Sequence, residues 1–305
     1  MQRFLSTAVI VGLLVATAAA FAITERLKLT KSPISATKVV RDHVSPRAKT
    51  TVAIRVRFRR ADVVSAAILD SHRHEVDTLL YRVHAPRGWR TFIWNGLDDA
   101  GRTPADGTYH LEIHFANQRR TILLPNPLVL ETKVPAVLDA GVTPKTFSPD
   151  GDGQSDHVSL HYRFSEDAHV LVSLNGRRII RGRSHKERDK VSWDGTVDGR
   201  VLPAGTYVLT VGAVDLAGNV AKRTQRVAVT IRYVALAAKR VTVRPGSVLR
   251  IGVSTDAKRY RWTLGARRGL ASARVLRVRV PSARGTYRLV LTVGEHTAAA
   301  TVVVR

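Results

Sequence analysis

Oxygen-bearing side chains occupy every second position of Asp150-Gly151-Asp152-Gly153-Gln154-Ser155-Asp156. Carboxylates and amides spaced this way can converge on one hard cation, because calcium takes about six to eight oxygen ligands from a tightly curled chain. Gly151 and Gly153 permit the curl. Asp150, Asp152, Gln154 and Asp156 form a candidate calcium loop, and no cofactor is required. No Glu follows at the EF-hand distance, so the loop is not an EF-hand. The competing reading is an Asp/Gly turn that closes on its own backbone amides.

His110, Glu112 and His114 place three zinc-compatible ligands on one strand face. The strict alternation with Tyr109, Leu111 and Ile113 favours a solvated outer face instead. His72, His74, Glu75 and Asp77 read as the polar tip of a hairpin. Chemistry of turnover is not visible. The chain has no His-Glu-x-x-His, no Gly-x-Ser-x-Gly and no phosphate-cradling Gly-Lys-Ser/Thr. Ser35-x-x-Lys38 stands without partner motifs, and no motif that reads nucleic-acid sequence is present. With no cysteine, disulfides and thiolate metal sites are excluded. The sequence reads as non-enzymatic.

Positive charge is the other chemical feature. The 305 residues carry 49 Lys and Arg against 24 Asp and Glu, a net charge of +25. Residues 235–305 hold 15 basic and 2 acidic side chains, so half of the excess sits in the last quarter of the chain. Arg259, Arg261, Arg267, Arg268, Arg277, Arg279, Arg284 and Arg288 are the candidate polyanion-binding residues. Arg277 and Arg279 share a strand face opposite Val278 and Val280, and Arg267-Arg268 caps a turn. Such a surface grips phosphates or carboxylates without sequence preference. The partner it suits is wall polymer, acidic polysaccharide, anionic lipid or extracellular DNA. The plainer reading is a soluble surface built from arginine, which outnumbers lysine 38 to 11.

The elements that position these residues are strands. Val52, Ile54, Val56 and Phe58 alternate with Arg55 and Arg57, and Val158, Leu160, Tyr162 and Phe164 repeat the pattern. A turn follows in each case: Trp94-Asn95-Gly96 with Asp99-Ala100-Gly101, then Trp193-Asp194-Gly195 with Val197-Asp198-Gly199. Each closes on a triplet, Gly107-Thr108-Tyr109 and Gly205-Thr206-Tyr207, that launches another alternating strand. The two Trp are 99 residues apart and the two triplets 98 apart, about one sandwich domain. Trp94, Trp193, Tyr109 and Tyr207 read as core, against a rival reading as a carbohydrate platform. Gly285-Thr286-Tyr287 marks a third, shorter unit without the Trp-x-Gly turn. The expected fold is all-β: tandem Ig-like or fibronectin-III-like sandwiches at 41–134, 136–232 and 235–305, joined by linkers at 125–135 and 232–238. Calcium, if bound, is expected to stiffen the junction between the first and second units.

Trp-x-Gly, Asp-x-Gly and Gly-Thr-Tyr in this layout resemble the Ig-like (FlgD-type) domain of the flagellar hook-capping protein, which recurs in secreted bacterial proteins. Phe147-Ser148-Pro149-Asp150-Gly151-Asp152-Gly153 is similar to the opening of that module, and Ala213 to Asn219 to the closing strands of bacterial Ig-like repeats. The resemblance covers residues 40–232 and implies an Ig-like sandwich. The first unit departs from it, opening on His43-Val44-Ser45-Pro46 without the acidic loop and lacking Ala-Gly-Asn. A flagellar role is disfavoured, because the hook cap leaves through its own exporter without a leader like this one.

That leader is residues 1–22. Met1-Gln2-Arg3 is basic, Phe4 to Ala22 carries no charge, and Ala20-Phe21-Ala22 has the small-x-small form of a cleavage site. Arg26, Lys28 and Lys31 follow, and the run is long enough to span a bilayer. Cleaved signal peptide and retained signal-anchor both fit, with 23–40 as tether. The expected protein is extracytoplasmic, secreted or anchored to the outer face of the cytoplasmic membrane. It acts there as an envelope display or structural protein. The alternatives are a polyanion binder acting through its basic C-terminal unit and an accessory module of a secreted hydrolase. Another surface protein is a further possible partner.

Overall fold

The structure, a computed structural model, describes residues 12–21 and 31–305. Residues 12–21 are helical, and no helix among the described residues is long and apolar enough to cross a membrane. The rest of the expected leader, with Arg26 and Lys28, lies outside the described residues. Everything from Ile34 onward is strand, turn or loop, with hydrophobic residues gathered into three separate cores. The chain divides into two compact units, Met1–Thr132 and Lys133–Arg305.

The first unit is one sandwich. Ile34–Arg41, Val52–Phe58 and Gly88–Trp94 form a three-stranded antiparallel sheet. Opposite it lies a sheet in the order His43–Val44, Leu128–Leu130, Gly107–Phe115, Asp62–Leu69, Glu75–Ala85, with Arg120–Leu123 alongside. Val52, Ile54, Val56 and Phe58 face inward as the alternation requires, and Leu111, Ile113 and Phe115 meet them from the other sheet. Two expectations change here. Residues 34–40, read as tether, pair with Val52–Phe58, and Ser35 donates to the Arg57 carbonyl at 3.0 Å. Within the proline-rich stretch read as a linker, Leu128–Leu130 is a strand with Leu128 fully buried. Both segments are too short or too irregular in burial to carry a legible period.

The second unit holds two sandwiches of the same topology. In each, a three-stranded sheet faces a five-stranded one. The first strand is split between sheets: Val137–Thr143 pairs antiparallel with Val158–Phe164, and Thr146–Phe147 then pairs parallel with Gln225–Ile231. Ala235–Leu236 and Arg240–Val243 repeat this against Val248–Ser254 and His296–Val304. The third sandwich therefore keeps the fold without the Trp-x-Gly turn; fully buried Val280 directly follows its corresponding strand, Val275–Arg279.

The stretch 232–238 is not a slack linker. Tyr233 is buried in the core of the second sandwich and Val234 in that of the third. Between the sandwiches, Tyr233 stacks on His296 with ring centroids 3.4 Å apart, and the Thr255 hydroxyl donates to the Tyr233 carbonyl at 2.8 Å.

Candidate functional site

The repeated turn is built the same way twice. Trp94 Nε1 donates to the Leu97 carbonyl at 2.8 Å, and Trp193 Nε1 to the Thr196 carbonyl at 3.1 Å. Gly96 and Gly195 sit at φ +82° and +76°. A Cβ on Gly96 would stand 2.9 Å from Pro46, and one on Gly195 3.0 Å from Pro149. The Ser-Pro pair that opens each unit thus packs under the glycine that follows each Trp. Both indoles are buried, as is Tyr109, while Tyr207 is only half-buried. Tyr207 differs from the sequence expectation: it packs against the core but stays partly exposed, and its hydroxyl donates to the Pro203 carbonyl at 2.7 Å. Tyr109 and Tyr287 make the same bond to Ala105 and Ala283, so Gly-Thr-Tyr is a tyrosine corner in all three sandwiches.

The zinc-like triad does not assemble. His110 Nδ1 lies 3.2 Å from the Leu124 carbonyl and His114 Nδ1 2.9 Å from the Thr121 hydroxyl. Among the described residues the three do not form a group with ligand atoms at metal-site separations.

Asp150, Asp152 and Asp156 do converge, each offering a carboxylate oxygen within 4.8 Å of the others. The backbone amide and side-chain amide of Gln154 both donate to Asp152. Asp156 organises the loop, one oxygen accepting from the Gly151 amide and the other from the Gly153 amide, both at 2.8 Å. Gly151, Gly153 and Ser155 all have positive φ. The turn reading and the cation reading therefore coexist, since an oxygen that accepts one amide keeps a second lone pair.

Phe147 runs parallel to Ile231, so the loop after Phe147 emerges at the end where the chain leaves the second sandwich. There it meets the third. Gln154 and Asp256 line one cleft, and Asp150, Glu295 and His296 line another. Both carboxylate oxygens of Asp256 are shielded from solvent. Burial pushes its pKa up, its own backbone amide and the Ser148 side chain pull it down, and the charges of Asp150 and Asp152 raise it further. Asp256, the one Asp of the third sandwich, was not singled out in the sequence, and its carboxylate falls outside the group formed by Asp150, Asp152 and Asp156.

The arginine set is not one surface. Arg277 and Arg279 lie on the outer face of the three-stranded sheet, as expected, joined by Arg250, which pairs directly opposite Arg277. Arg261, Arg268 and Arg288 project from the outer face of the five-stranded sheet, on the far side of the core. Arg267 follows the turn at Gly265 and donates to the Arg279 carbonyl at 2.8 Å. Arg259 and Arg284 are in loops. Alternation sends neighbouring arginines of a sandwich in opposite directions, so a linear cluster splits. None of these arginines has an ion-pair partner among the described residues.

No protein-family model matches the chain, and no curated protein matches it in sequence. Solved structures are similar at low levels. A C-terminal 282-residue fragment of intimin, in complex with the intimin-binding domain of the translocated intimin receptor, has TM-score 0.33 and 9% identity, over 69% of each chain. The N-terminal four Ig domains of a Dscam1 isoform give TM-score 0.22 and 13% identity over 88% of this chain and 72% of that one. SGBP-B from the Bacteroides ovatus mixed-linkage glucan utilization locus, in complex with a mixed-linkage heptasaccharide, gives 0.23 and 15% over 90% and 71%. At such scores the assignment of tandem Ig-like sandwiches rests on this chain's own strand order.

Proposed function

We propose that the chain is an exported, non-enzymatic protein of the cell envelope, in which sandwiches of the hook-capping type display a basic terminal module. The observation that carries this reading is a run of Ig-like sandwiches, with the repeated Trp inside the cores, behind a hydrophobic leader. Residues so placed hold a scaffold; they do not line a reaction centre. Treating intact cells that carry the full chain with external protease tests the reading. Digestion of the sandwiches supports an extracytoplasmic display role, and protection until the cells are lysed contradicts it.

A second reading has its own observation. Arg250 and Arg277 stand side by side on an outer face with Arg279 nearby, a like-charge arrangement that costs stability unless something anionic lies over it. Acting as a polyanion binder, this face would hold wall polymer, acidic polysaccharide or anionic lipid. Retention on an anionic polymer should fall steeply with salt and drop further in an Arg250→Ser/Arg277→Ser/Arg279→Ser variant. Equal retention of parent and variant at every salt concentration would leave the display role alone.

A further inference from the structure

At one strand position the third sandwich departs from the other two. Ala66, Val172 and Trp262 occupy it, each paired with the residue four places after the tyrosine of its Gly-Thr-Tyr triplet: Ile113, Val211 and Leu291. Ala66 and Val172 are buried, whereas Trp262 is half-buried and lines a groove of about 770 Å³. On the neighbouring strand the partners of Ala66 and Val172 are Leu80 and Ile180, and the partner of Trp262 is Gly269. A Cβ on Gly269 would stand 2.8 Å from the indole, so the glycine leaves the room that the ring fills. Trp94 and Trp193 each commit the indole N–H to a carbonyl three residues ahead, but that of Trp262 makes no hydrogen bond among the described residues.

The groove runs beside residues 272–274, which cross from the five-stranded sheet to the three-stranded one. In the second sandwich the corresponding crossing, residues 182–187, is tied to the core: the Gly182 amide donates to the Val170 carbonyl at 2.9 Å, and His169 Nδ1 lies 3.0 Å from the Ser184 carbonyl. The shorter crossing of the third sandwich leaves Leu270 and Val275 exposed in the groove, at 68% and 45%. Arg274 and Arg277 line it too, and neither has an ion-pair partner among the described residues. Apolar and aromatic walls with a few convergent polar groups are the make-up of a ligand site.

We propose that this groove binds an acidic polysaccharide, one whose sugars carry carboxylates. The proposal rests on the polyanion-binding reading and names the place and the polymer. A sugar ring can lie against an indole and offer oxygens to its free N–H, while its carboxylate takes two parallel hydrogen bonds from a guanidinium. Lipid phosphate would need the arginines alone. A peptide added as an extra strand is disfavoured, because Arg267 already occupies the Arg279 carbonyl on the edge of the three-stranded sheet. Charge also sets the direction. Beyond Arg274, one cleft sets Asp256 against Lys258 and another holds Arg232, so unopposed positive charge continues from Arg277 past Arg274 toward Arg232.

The test uses the full chain and measures affinity for polygalacturonate, with neutral dextran and inorganic polyphosphate as comparison polymers. Polygalacturonate is expected to bind and to shift the tryptophan emission, and dextran not to bind. Trp262→Phe, which keeps an aromatic ring and removes the N–H, should weaken polygalacturonate binding about fivefold, abolish the emission shift and leave polyphosphate binding unchanged. Arg274→Ser should weaken polygalacturonate binding by about tenfold or more. Parent-like affinity in both variants would overturn the groove; a loss confined to Arg250→Ser/Arg277→Ser/Arg279→Ser would then leave polyanion binding by the outer face intact. Absence of polygalacturonate binding would overturn the proposal, and absence of polyphosphate binding as well would overturn the polyanion reading with it. Binding of polyglutamate as tight as that of polygalacturonate, and equally dependent on Trp262, would assign the groove to acidic peptides instead. Should Trp262→Phe fail to fold, Arg274→Ser, at an exposed residue, tests the same groove and must show its loss.

Discussion

Gly195 illustrates how much one residue position decides. Its backbone is at φ +76°, and a Cβ would meet Pro149 at 3.0 Å and Ile231 at 3.2 Å. Gly195→Ala is therefore expected to destabilise by about 2–3 kcal/mol, through backbone strain and the clash together. Gly199→Ala, at φ +74° with open space around it, should lose only about 1 kcal/mol. Equal losses in chemical denaturation would show that the proline contact contributes nothing. The sequence marked both glycines as turn residues but not their difference, because Pro149 lies 46 residues before Gly195. Asp77 offers a titration at the same scale. Burial first, then the charges of Asp99 and Asp98, hold its pKa above the usual carboxylate value. Its folded-state pKa exceeds its unfolded one, so its charge lowers stability at neutral pH and stops doing so once both states are protonated. Asp77→Asn should raise the melting temperature at pH 7, with the gain gone below about pH 3. A gain that grows on acidification would contradict the assignment.

Among elements, the strands with strict alternation were legible and the short connecting strands were not. Val52–Phe58 and Val158–Phe164 bury every second residue as the pattern required. Thr146–Phe147 has two residues, too few for any period, yet it decides at which end of the sandwich the acidic loop emerges. That is why the sequence showed the residues of the loop but not the end of its sandwich that carries it. The Gly-Thr-Tyr triplets were readable as strand starts, whereas the phenol-to-carbonyl bond four residues back needed the fold. Removing that bond by Tyr109→Phe, Tyr207→Phe or Tyr287→Phe should lower stability by about 1 kcal/mol each, measured by denaturant unfolding. Trp193→Ala, which empties the core beside Phe147, should lose about 3–5 kcal/mol. A loss below about 1 kcal/mol would remove Trp193 from the core.

For the whole molecule, the charge total was visible in the sequence and its arrangement was not. The basic excess of the last quarter proved to be divided between two sheet faces, while the few acids gathered where two sandwiches meet. Replacing Arg250 and Arg277 with serine should leave thermal stability unchanged or slightly higher at low salt, since the pair repels across neighbouring strands. A clear drop in melting temperature would mean that the pair packs rather than repels.

In every sandwich an early strand lies parallel to the last one: His43–Val44 on Leu128–Leu130, Thr146–Phe147 on Gln225–Ile231, Arg240–Val243 on His296–Val304. Tension applied to the two chain ends would drag these partners past one another lengthwise, loading their hydrogen bonds in shear instead of peeling them singly. The third clamp matches four residue pairs and the others two each, so it should rupture last in a single-molecule extension trace. For a protein held at one end and grasped at the other, the most load-resistant bead would then be the one nearest the grip.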